Sequence, residues 1–460
     1  MKRNQIALLL CLLSACAATQ SVQNVESARH ALELARALGE YVGSQFQPDA
    51  PGGVVLVARS GRPILRAAYG LADVAGERKM AVDQALPIGS ITKSITAGAI
   101  LNLLQTGRLS LEDDVRKHVP DAPVGDKLVT IEQLLTHTSG MPNLVDAPDF
   151  LEWARAPRST TELLARTADI PFHFEPGTGF RYSDSGYILL GAALERYVPG
   201  DWDHAVRELV GRPLNLLSVE SAVRWREHAA VGYTYDGTRF VPAKAMDWSV
   251  PHASGGLVAT ADDLLAWVQA WNEGAVATPE LRERAWASRV LPDGTYSGYG
   301  FGWQCCDFEG RTAIQHGGWV PGFTASVLHQ PDEDLTAIAL LNSEGSVEAT
   351  YLTRRALRLL LTGKPDLPHR VLSPEERSRL VGSYRSQSGA LWNVIQEGEL
   401  ISLDLAGRHI KLAAVSATHL CAADSDGTWC FTFELGDDGR AASVASALIC
   451  EPQSRAHREE

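Results

Sequence analysis

The sequence predicts an α+β fold: one antiparallel sheet flanked by helices, with a helical subdomain, followed by a small C-terminal antiparallel β domain. In residues 28–365, strand patterns lie toward both ends and helical patterns fill the middle. This order favours one sheet closed by the two ends of the region over alternating βαβ units. In residues 373–455 the pattern changes to short alternating strands, as in a small β-barrel.

Length and charge limit the function classes. The chain has 460 residues, 45% of them apolar and 21% charged, which is enough for one large globular domain and a smaller one. Prolines cluster near the predicted domain boundary at residues 366–373. The formal net charge of −13 leaves no basic surface for a nucleic acid, so no nucleic-acid partner is predicted.

Residues 1–18 are predicted to be an export signal. Two basic residues precede the apolar run Ile6–Leu13, which is too short to span a membrane. The stretch Leu13-Ser14-Ala15-Cys16 resembles a bacterial lipobox, in which the cysteine is lipidated, but its small residues also fit ordinary signal cleavage. The predicted location is the periplasm, and a lipid on Cys16 would be the sole membrane attachment, at the outer membrane.

The larger domain begins with a helix and a hairpin. Apolar residues recur at helical spacing over Ala28–Phe46, and Pro48 ends that pattern, so a helix is predicted there. Gly53–Arg59 and Pro63–Tyr69 are rich in β-branched and aliphatic residues and meet at a Ser-Gly turn, which predicts a β-hairpin.

Helices dominate the middle of this domain. Thr130 with Gln133 forms a capping-box pattern, and Thr260 is followed three residues later by Asp263 in a similar helix-start pattern. The predicted helices are Ser90–Leu104, Thr130–His137, Ser185–Tyr197 and Ala261–Trp271.

Strands return after residue 299. They are separated by turn signals, and a helix at Val347–Leu361 closes the domain. The predicted strands are Gly300–Cys306, Ala313–His316, Phe323–His329 and Leu335–Leu341. In the C-terminal domain, strands are predicted around Trp392–Gln396, Leu400–Leu405, His409–Ala413, Trp429–Glu434 and Ser443–Cys450.

Seven cysteines supply little framework for so long a chain. Two of them fall in the signal, which leaves an odd number for an oxidising compartment. Cys421 and Cys430 flank a turn, where they form either a hairpin disulfide or two half-buried thiols. No cysteine or histidine cluster has zinc-ligand spacing, so no metal site is predicted. The other three cysteines are Cys305, Cys306 and Cys450.

Ser90 and Lys93 lie three residues apart at the start of a predicted helix. This spacing puts both side chains on one helix face, with positive partial charge from the first turn near the hydroxyl. A partly desolvated lysine there could accept the serine proton. The same spacing also arises by chance as an N-cap serine followed by a surface lysine.

Two further motifs follow Ser90-Ile91-Thr92-Lys93 in order: Tyr182-Ser183-Asp184 and His316-Gly317-Gly318. With these motifs the sequence resembles the class C β-lactamases and penicillin-binding-protein-like serine hydrolases, a group that includes D-amino-acid peptidases and carboxylesterases. The resemblance covers about residues 30–362, and the tail is similar to the lipocalin-like domain of some members. Supporting stretches are Leu134–Met141, Ser254–Leu257 and Tyr299–Trp303.

The resemblance implies a role for each residue. Ser90 would be the nucleophile, and Lys93 with Tyr182 would transfer the serine and leaving-group protons. The backbone N–H groups of Ser90 and Trp319 would form the oxyanion hole. No metal or organic cofactor is implied. The predicted substrate-binding residues, two of them glycines on a strand edge that substrate approaches closely, are Asp184, His316, Gly317, Gly318 and Trp319.

His137 lies in one of the supporting stretches and suggests a Ser-His triad. The chain lacks the Gly-x-Ser-x-Gly elbow of such triads, and His137 stands at a predicted helix end. A structural hydrogen-bonding role is therefore predicted for it.

Two motif positions depart from the β-lactamase pattern. Asp184 stands where those enzymes have asparagine, and His316 where they have lysine. A neutral histidine attracts a substrate carboxylate less than lysine does, and an ionised Asp184 would repel an anion or pair with Lys93. Such a pair would hold Lys93 protonated and shift the base role toward Tyr182. Both departures predict a preference for uncharged or cationic substrates.

The sequence therefore predicts an exported serine hydrolase that acts on a small ester, amide or D-peptide through an acyl-enzyme on Ser90. One alternative is a β-lactamase or D-alanyl-D-alanine carboxypeptidase. The other is a non-catalytic envelope protein that binds a ligand, which the joint presence of Ser90, Lys93 and Tyr182 disfavours.

Overall fold

The computed structural model describes residue 29 and residues 32–225, 230–244, 246–345, 347–367, 369–386, 390–405, 408–423, 429–448 and 454–459. The predicted signal at residues 1–18, with Cys16, lies outside the described residues, and so does Cys450.

A six-stranded antiparallel sheet forms the centre of the larger domain. The first strand of the chain pairs with a strand that follows it by almost 300 residues, in the register Gly53↔Leu341. The two ends of the domain therefore meet in one sheet, as predicted. In sheet order the strands are β10 (Gln304–Phe308), β11 (Arg311–Val320), β12 (Phe323–Gln330), β13 (Leu335–Leu341), β1 (Gly53–Arg59) and β2 (Arg62–Tyr69).

Both faces of this sheet are covered, because successive residues of β1 enter different cores. Val54 and Leu56 pack in the core that also contains the helices from the middle of the domain, whereas Val55 and Val57 pack with the N-terminal and last helices of the domain. The helices are α1 (32–43), α2 (Thr92–Gln105), α3 (Ile131–Leu135), α4 (Phe150–Trp153), α5 (Thr160–Ala165), α6 (Asp184–Glu195), α7 (Trp202–Val206), α8 (His252–Gly255), α9 (Ala261–Asn272), α10 (Pro279–Ala285) and α11 (Ala349–Thr362).

Helices α3 to α8 form most of a helical layer beside the sheet, with several short strands at its edges. Within the described ranges, no helix has both the length and the apolar character that crossing a bilayer requires. The short strands are β3 (Leu71–Asp73), β4 (Arg78–Lys79), β5 (Leu86–Pro87), β6 (Glu220–Ser221), β7 (Tyr233–Tyr235), β8 (Phe240–Pro242), β9 (Leu257–Ala259) and β14 (Ser343–Glu344).

The predicted helix over Thr130–His137 is shorter than expected. The capping box of Thr130 and Gln133 is present, with both reciprocal hydrogen bonds, so the start is confirmed. The helix ends at Leu135, because the backbone of His137 adopts a left-handed φ of 58°.

The predicted strand Gly300–Cys306 is wrong in its first half. The sheet strand begins only at Gln304, and the preceding residues form a buried loop under α2. Gly302 has a φ of 73°, and a Cβ there would lie 2.7 Å from the backbone oxygen of Lys93. The loop therefore packs against α2 at a distance that excludes a side chain at position 302. In contrast, the predicted strand Ala313–His316 extends through both glycines to Val320.

The C-terminal part of the chain is a closed eight-stranded antiparallel barrel, which helix α12 (Pro374–Leu380) precedes along the chain. Aromatic side chains such as Tyr384, Trp392 and Phe431 share one buried core with aliphatic side chains. Cys421 and Cys430 face each other on neighbouring strands and form a disulfide, whereas Cys305 and Cys306 are free thiols. The strands are β15 (Gly382–Ser386), β16 (Leu391–Glu397), β17 (Leu400–Leu405), β18 (Arg408–Ala414), β19 (His419–Ala422), β20 (Trp429–Leu435), β21 (Ala441–Leu448) and β22 (Ser454–Arg458).

Candidate active site

Ser90 lies in a short 3-10 turn, Gly89–Ile91, that leads directly into α2. Gly89 has a φ of 50°, which favours glycine, and a Cβ there would lie 2.5 Å from the backbone nitrogen of Trp319. The turn therefore packs against β11 more closely than a side chain would allow. This close approach places the backbone nitrogen of Trp319 next to the turn that carries Ser90, which is compatible with an oxyanion hole formed by these two residues.

The half of β11 next to Ser90 has an open edge. β10 pairs with residues 311–315, whereas the described pairing of residues 316–320 is with β12. A Cβ on Gly318 would lie 1.9 Å from the backbone oxygen of Ile88, so only glycine fits. The prediction from the sequence is that glycine is needed here because substrate approaches closely. The structure instead explains it by close approach of the nucleophile turn.

The Lys93 side chain lies behind Ser90 and is completely buried. Its Nζ donates to Ser90 Oγ at 3.1 Å and to Asp184 Oδ1 at 2.6 Å. A third hydrogen bond, of 2.9 Å, goes to the carbonyl oxygen of Ser254. The alternative interpretation of Lys93 as a surface lysine is therefore wrong.

Burial and charge act on Lys93 in opposite directions. Loss of hydration lowers the pKa of Lys93, and the neighbouring Asp184 carboxylate opposes this shift without cancelling it. The predicted ion pair with Asp184 is present and raises the pKa of Lys93, but burial lowers that pKa by more. Lys93 therefore releases a proton more readily than an exposed lysine.

Tyr182 is anchored on both sides by one residue, His137. The Arg181 N–H donates to the His137 carbonyl oxygen at 3.0 Å, and the Ser183 N–H donates to His137 Nδ1 at 3.1 Å. The centres of the His137 and Tyr182 rings also lie 4.3 Å apart, and Lys93 Nζ lies 4.6 Å from the centre of the Tyr182 ring. His137 therefore makes the hydrogen bonds of a structural residue, and its ring fixes where Tyr182 stands.

The His137 ring is neutral. Burial, together with the nearby Lys93, lowers the pKa of His137 well below its usual range. Since Nδ1 accepts a hydrogen bond from Ser183, the ring proton is on Nε2.

His316 directs both ring nitrogens at protein groups. Its Nδ1–H donates to the Gly317 carbonyl oxygen at 2.7 Å, and the Tyr299 hydroxyl donates to Nε2 at 2.8 Å. Burial, with a smaller effect from Lys93, lowers its pKa to about 3. His316 therefore forms part of the cleft wall as a neutral ring, with its nitrogens already paired, and its contact with substrate stays a prediction. Tyr299 is not among the predicted site residues, although Tyr299–Trp303 is one of the supporting stretches.

All eight predicted site residues come together around Ser90. A cavity of about 760 Å³ and a smaller one of about 170 Å³ both open beside the Ser90 side chain. Lys93 lies directly behind Ser90, and each of the others lines at least one of these cavities: Tyr182, Asp184, His316, Gly317, Gly318 and Trp319.

The family model for β-lactamases matches residues 29–361. The chain belongs to the β-lactamase family. It is 27% identical to penicillin-binding protein 4* of Bacillus subtilis over 407 residues, which cover 81% of this chain and 87% of that protein. The family identifies the chain as a serine hydrolase, which sets aside the non-catalytic alternative.

Two solved structures show the same fold. The octameric penicillin-binding protein homologue from Pyrococcus abyssi has a TM-score of 0.64 and 23% identity, over 91% of this chain and 99% of that one. EstCE1, a hydrolase with promiscuous acyltransferase activity, has a TM-score of 0.60 and 20% identity, over 72% of this chain and 99% of that one. The first likeness extends beyond the region that the β-lactamase family model matches.

One residue of this β-lactamase-family site has no motif to mark it. The Glu344 carboxylate accepts hydrogen bonds from the Trp319 indole N–H, from the Thr234 hydroxyl at 2.5 Å and from the Gly322 N–H at 3.3 Å. It reaches the cleft from β14, beside β7, and ties the end of β11 to that small sheet. Only the tertiary fold brings these groups together, so the sequence offers no signal for Glu344.

Proposed function

We propose that this protein is an exported hydrolase that transfers the acyl group of a small ester or amide to water through an acyl-enzyme on Ser90. The observation that carries the proposal is the buried Lys93 Nζ, within hydrogen-bond distance of both Ser90 Oγ and Asp184. A neutral lysine there keeps two N–H bonds for Asp184 and the Ser254 carbonyl. Its lone pair then faces the Ser90 hydroxyl proton.

The proposed reaction follows from these positions. Ser90 Oγ attacks the substrate carbonyl carbon and gives its proton to Lys93, while the N–H groups of Ser90 and Trp319 hold the oxygen that becomes negative. Tyr182, whose ring lies against Lys93 Nζ, passes a proton to the leaving group. Water then attacks the acyl-enzyme by the reverse proton path and releases the carboxylic acid.

Three substitutions test these roles. Ser90→Ala should abolish hydrolysis and labelling by a fluorophosphonate and a labelled penicillin, while the circular dichroism spectrum stays unchanged. Lys93→Ala and Tyr182→Phe should each lower kcat/KM by about two orders of magnitude, because each removes a proton-transfer group. Mass spectrometry of the labelled peptide identifies the acyl acceptor. Labelling at another serine, or near-parental kcat/KM in both other variants, would contradict the mechanism.

A β-lactamase or D-alanyl-D-alanine carboxypeptidase is the second candidate, and similarity to a penicillin-binding protein favours it. Its substrates carry a carboxylate. His316 is neutral here, and among the described residues that line the larger cavity Glu344 and Glu348 are acidic while none is lysine or arginine. We therefore expect a higher kcat/KM for p-nitrophenyl butyrate than for nitrocefin, and little release of D-alanine from a D-alanyl peptide. Faster turnover of nitrocefin would favour the second candidate.

Export is proposed from the sequence of residues 1–18 alone. Lipidation at Cys16 would place the protein on the periplasmic side of the outer membrane. Mass spectrometry of the mature N-terminus tests this proposal. A diacylated Cys16 supports the anchor, an unmodified chain that begins at Ala17 or Ala18 supports export alone, and an intact Met1 contradicts both.

A further inference from the structure

Ser90 stands at the junction of two cavities of different character. Ser90 and Trp319 line both of them. Tyr182 lines the larger one, and Asp184 lines the smaller one. A substrate held with its carbonyl carbon at Ser90 Oγ can therefore place one group in each cavity.

The smaller cavity is apolar over most of its wall. Its volume is about 170 Å³. At roughly 30 Å³ for a group the size of a water molecule, this volume holds about six non-hydrogen atoms. It therefore fits a short aliphatic chain or one ring. The apolar side chains of its wall include Leu144, Val145, Phe150, Met246, Val250 and Val320.

The larger cavity carries many more hydrogen-bonding side chains than the smaller one, although apolar atoms make up most of both walls. Its volume is about 760 Å³, and hydroxyl, amide and carboxylate side chains line it, including Thr234, Gln304, Glu344, Glu348 and Thr350. The described lining includes no lysine or arginine. The donors that reach Glu344 are a neutral indole, a hydroxyl and a backbone N–H, so they leave its negative charge in place. Negative potential in this cavity disfavours an anion.

The proton donor decides which half of the substrate enters which cavity. A leaving alkoxide or amide anion must take up a proton, and Tyr182, the proposed donor, lines the larger cavity. Asp184, which when ionised only accepts hydrogen bonds, lines the smaller one. The leaving group therefore lies in the larger cavity and the acyl group in the smaller one.

On the basis of the proposed function, we infer that the substrate joins a short apolar acyl group to a larger polar alcohol or amine without negative charge, and that a cationic leaving group is preferred. The Ser90 Oγ–carbon bond forms and the carbon–oxygen or carbon–nitrogen bond breaks. The proton of the Ser90 hydroxyl reaches the leaving group by way of Lys93 and Tyr182. Water then releases a short-chain carboxylic acid and restores the Ser90 hydroxyl.

The first experiment varies the acyl group with the leaving group held constant. For p-nitrophenyl esters from acetate to decanoate, kcat/KM should peak at chains of six carbons or fewer. Val145 is 39% exposed, so Val145→Phe should narrow the small cavity without disturbing the core. It should lower kcat/KM for the hexanoate relative to the acetate by about tenfold, the effect of one or two misfitting methylenes. Met246→Ala, which widens the cavity, should move the optimum to longer chains.

The second experiment varies the charge of the leaving group with the acyl group held constant. Butyrylcholine and 3,3-dimethylbutyl butyrate have nearly the same shape and differ by one positive charge. We expect kcat/KM to be about tenfold higher for butyrylcholine at low salt, and the ratio to fall with ionic strength. Glu348→Gln should reduce the ratio. The matched control is Glu399→Gln in the barrel, which removes the same charge away from the cleft and should leave the ratio unchanged.

The two experiments separate the possible failures. If the Val145 and Met246 variants change selectivity for the leaving group but not for acyl length, the assignment of the two cavities is reversed and the inference is wrong. A flat chain-length profile, or no preference for butyrylcholine, in an enzyme whose Ser90 is still labelled by a fluorophosphonate overturns the inference alone. If no ester is hydrolysed and Ser90 is not labelled, the proposed function fails as well.

Discussion

Replacing Gly318 with alanine should strongly lower the activity of the enzyme through backbone geometry alone. The added Cβ would lie 1.9 Å from the backbone oxygen of Ile88, against 3.4 Å or more in ordinary contact. The partner atom belongs to the backbone, so it cannot rotate away. The turn that carries Ser90 must therefore move relative to β11 by more than an ångström.

The size of the loss follows from that displacement. A misplacement of about 1 Å between reacting groups lowers the rate by about 10²-fold. Overpacking by one methyl group typically costs ~1–3 kcal/mol of the free energy of unfolding, which leaves a domain of ordinary stability folded. We therefore expect Gly318→Ala to lose about two orders of magnitude in kcat/KM, with a loss of only a few degrees in Tm.

Two other alanine substitutions calibrate this result. At Gly317 the nearest atom to a new Cβ is Thr350 Oγ1 at 3.3 Å, so Gly317→Ala should lose much less activity than Gly318→Ala. At Gly39 in α1 the nearest atom is 3.9 Å away, and Gly39→Ala should keep parental kinetics. Steady-state kinetics with p-nitrophenyl butyrate and thermal melts would be recorded for all three. Equal losses at positions 317 and 318, or parental activity of Gly318→Ala, would refute the reasoning.

Two further predictions concern the buried histidines. His137→Phe keeps the ring packing but removes the acceptor of the buried Ser183 N–H, so urea denaturation should show a loss of ~1–3 kcal/mol in the free energy of unfolding. The value of kcat should fall more than KM changes, and an unchanged kcat would contradict the positioning of Tyr182 by His137. The pKa of His316 is about 3 in the native state and about 6.5 in the unfolded state, so between these pH values only the unfolded chain binds the proton. Stability should therefore fall as the pH drops below about 6.5, and His316→Gln should make the dependence of Tm on pH less steep in that range. If Tm depended equally steeply on pH in both proteins, His316 would not titrate as described.

The catalytic arrangement could be predicted from the sequence where it depends on local spacing or on motifs in order. Ser90 and Lys93 are brought into contact by one helical turn, which the three-residue spacing encodes directly. The contact of Lys93 with Asp184 spans 91 residues, but the Tyr182-Ser183-Asp184 motif places it. Spacing and motif order are therefore sufficient to name these residues.

The balance between burial and the ion pair at Lys93 could not be predicted, because the extent of burial depends on the tertiary fold. The sequence shows that Asp184 can pair with Lys93, but not that helices α2, α6 and α8 exclude water from the lysine. The pairing of His316 with Tyr299 depends in the same way on the tertiary fold, because Tyr299 directly precedes a buried loop where the sequence predicts a strand. Alternation of apolar residues around Gly300–Cys306 is compatible with both structures, and only the close contact of Gly302 with Lys93 decides between them.

The pairing of β1 with β13 has a consequence for the order in which this protein folds. The neighbour of Val54 on one side is Leu340, so β1, although it can pair with β2 early, lacks its second partner until nearly the whole domain has been synthesised. Contacts of such long sequence separation slow folding, because the chain must be closed into a long loop before they form. A chain that leaves the ribosome N-terminus first therefore cannot complete its sheet early. This delay suits a protein that, as proposed, must cross a membrane before it folds.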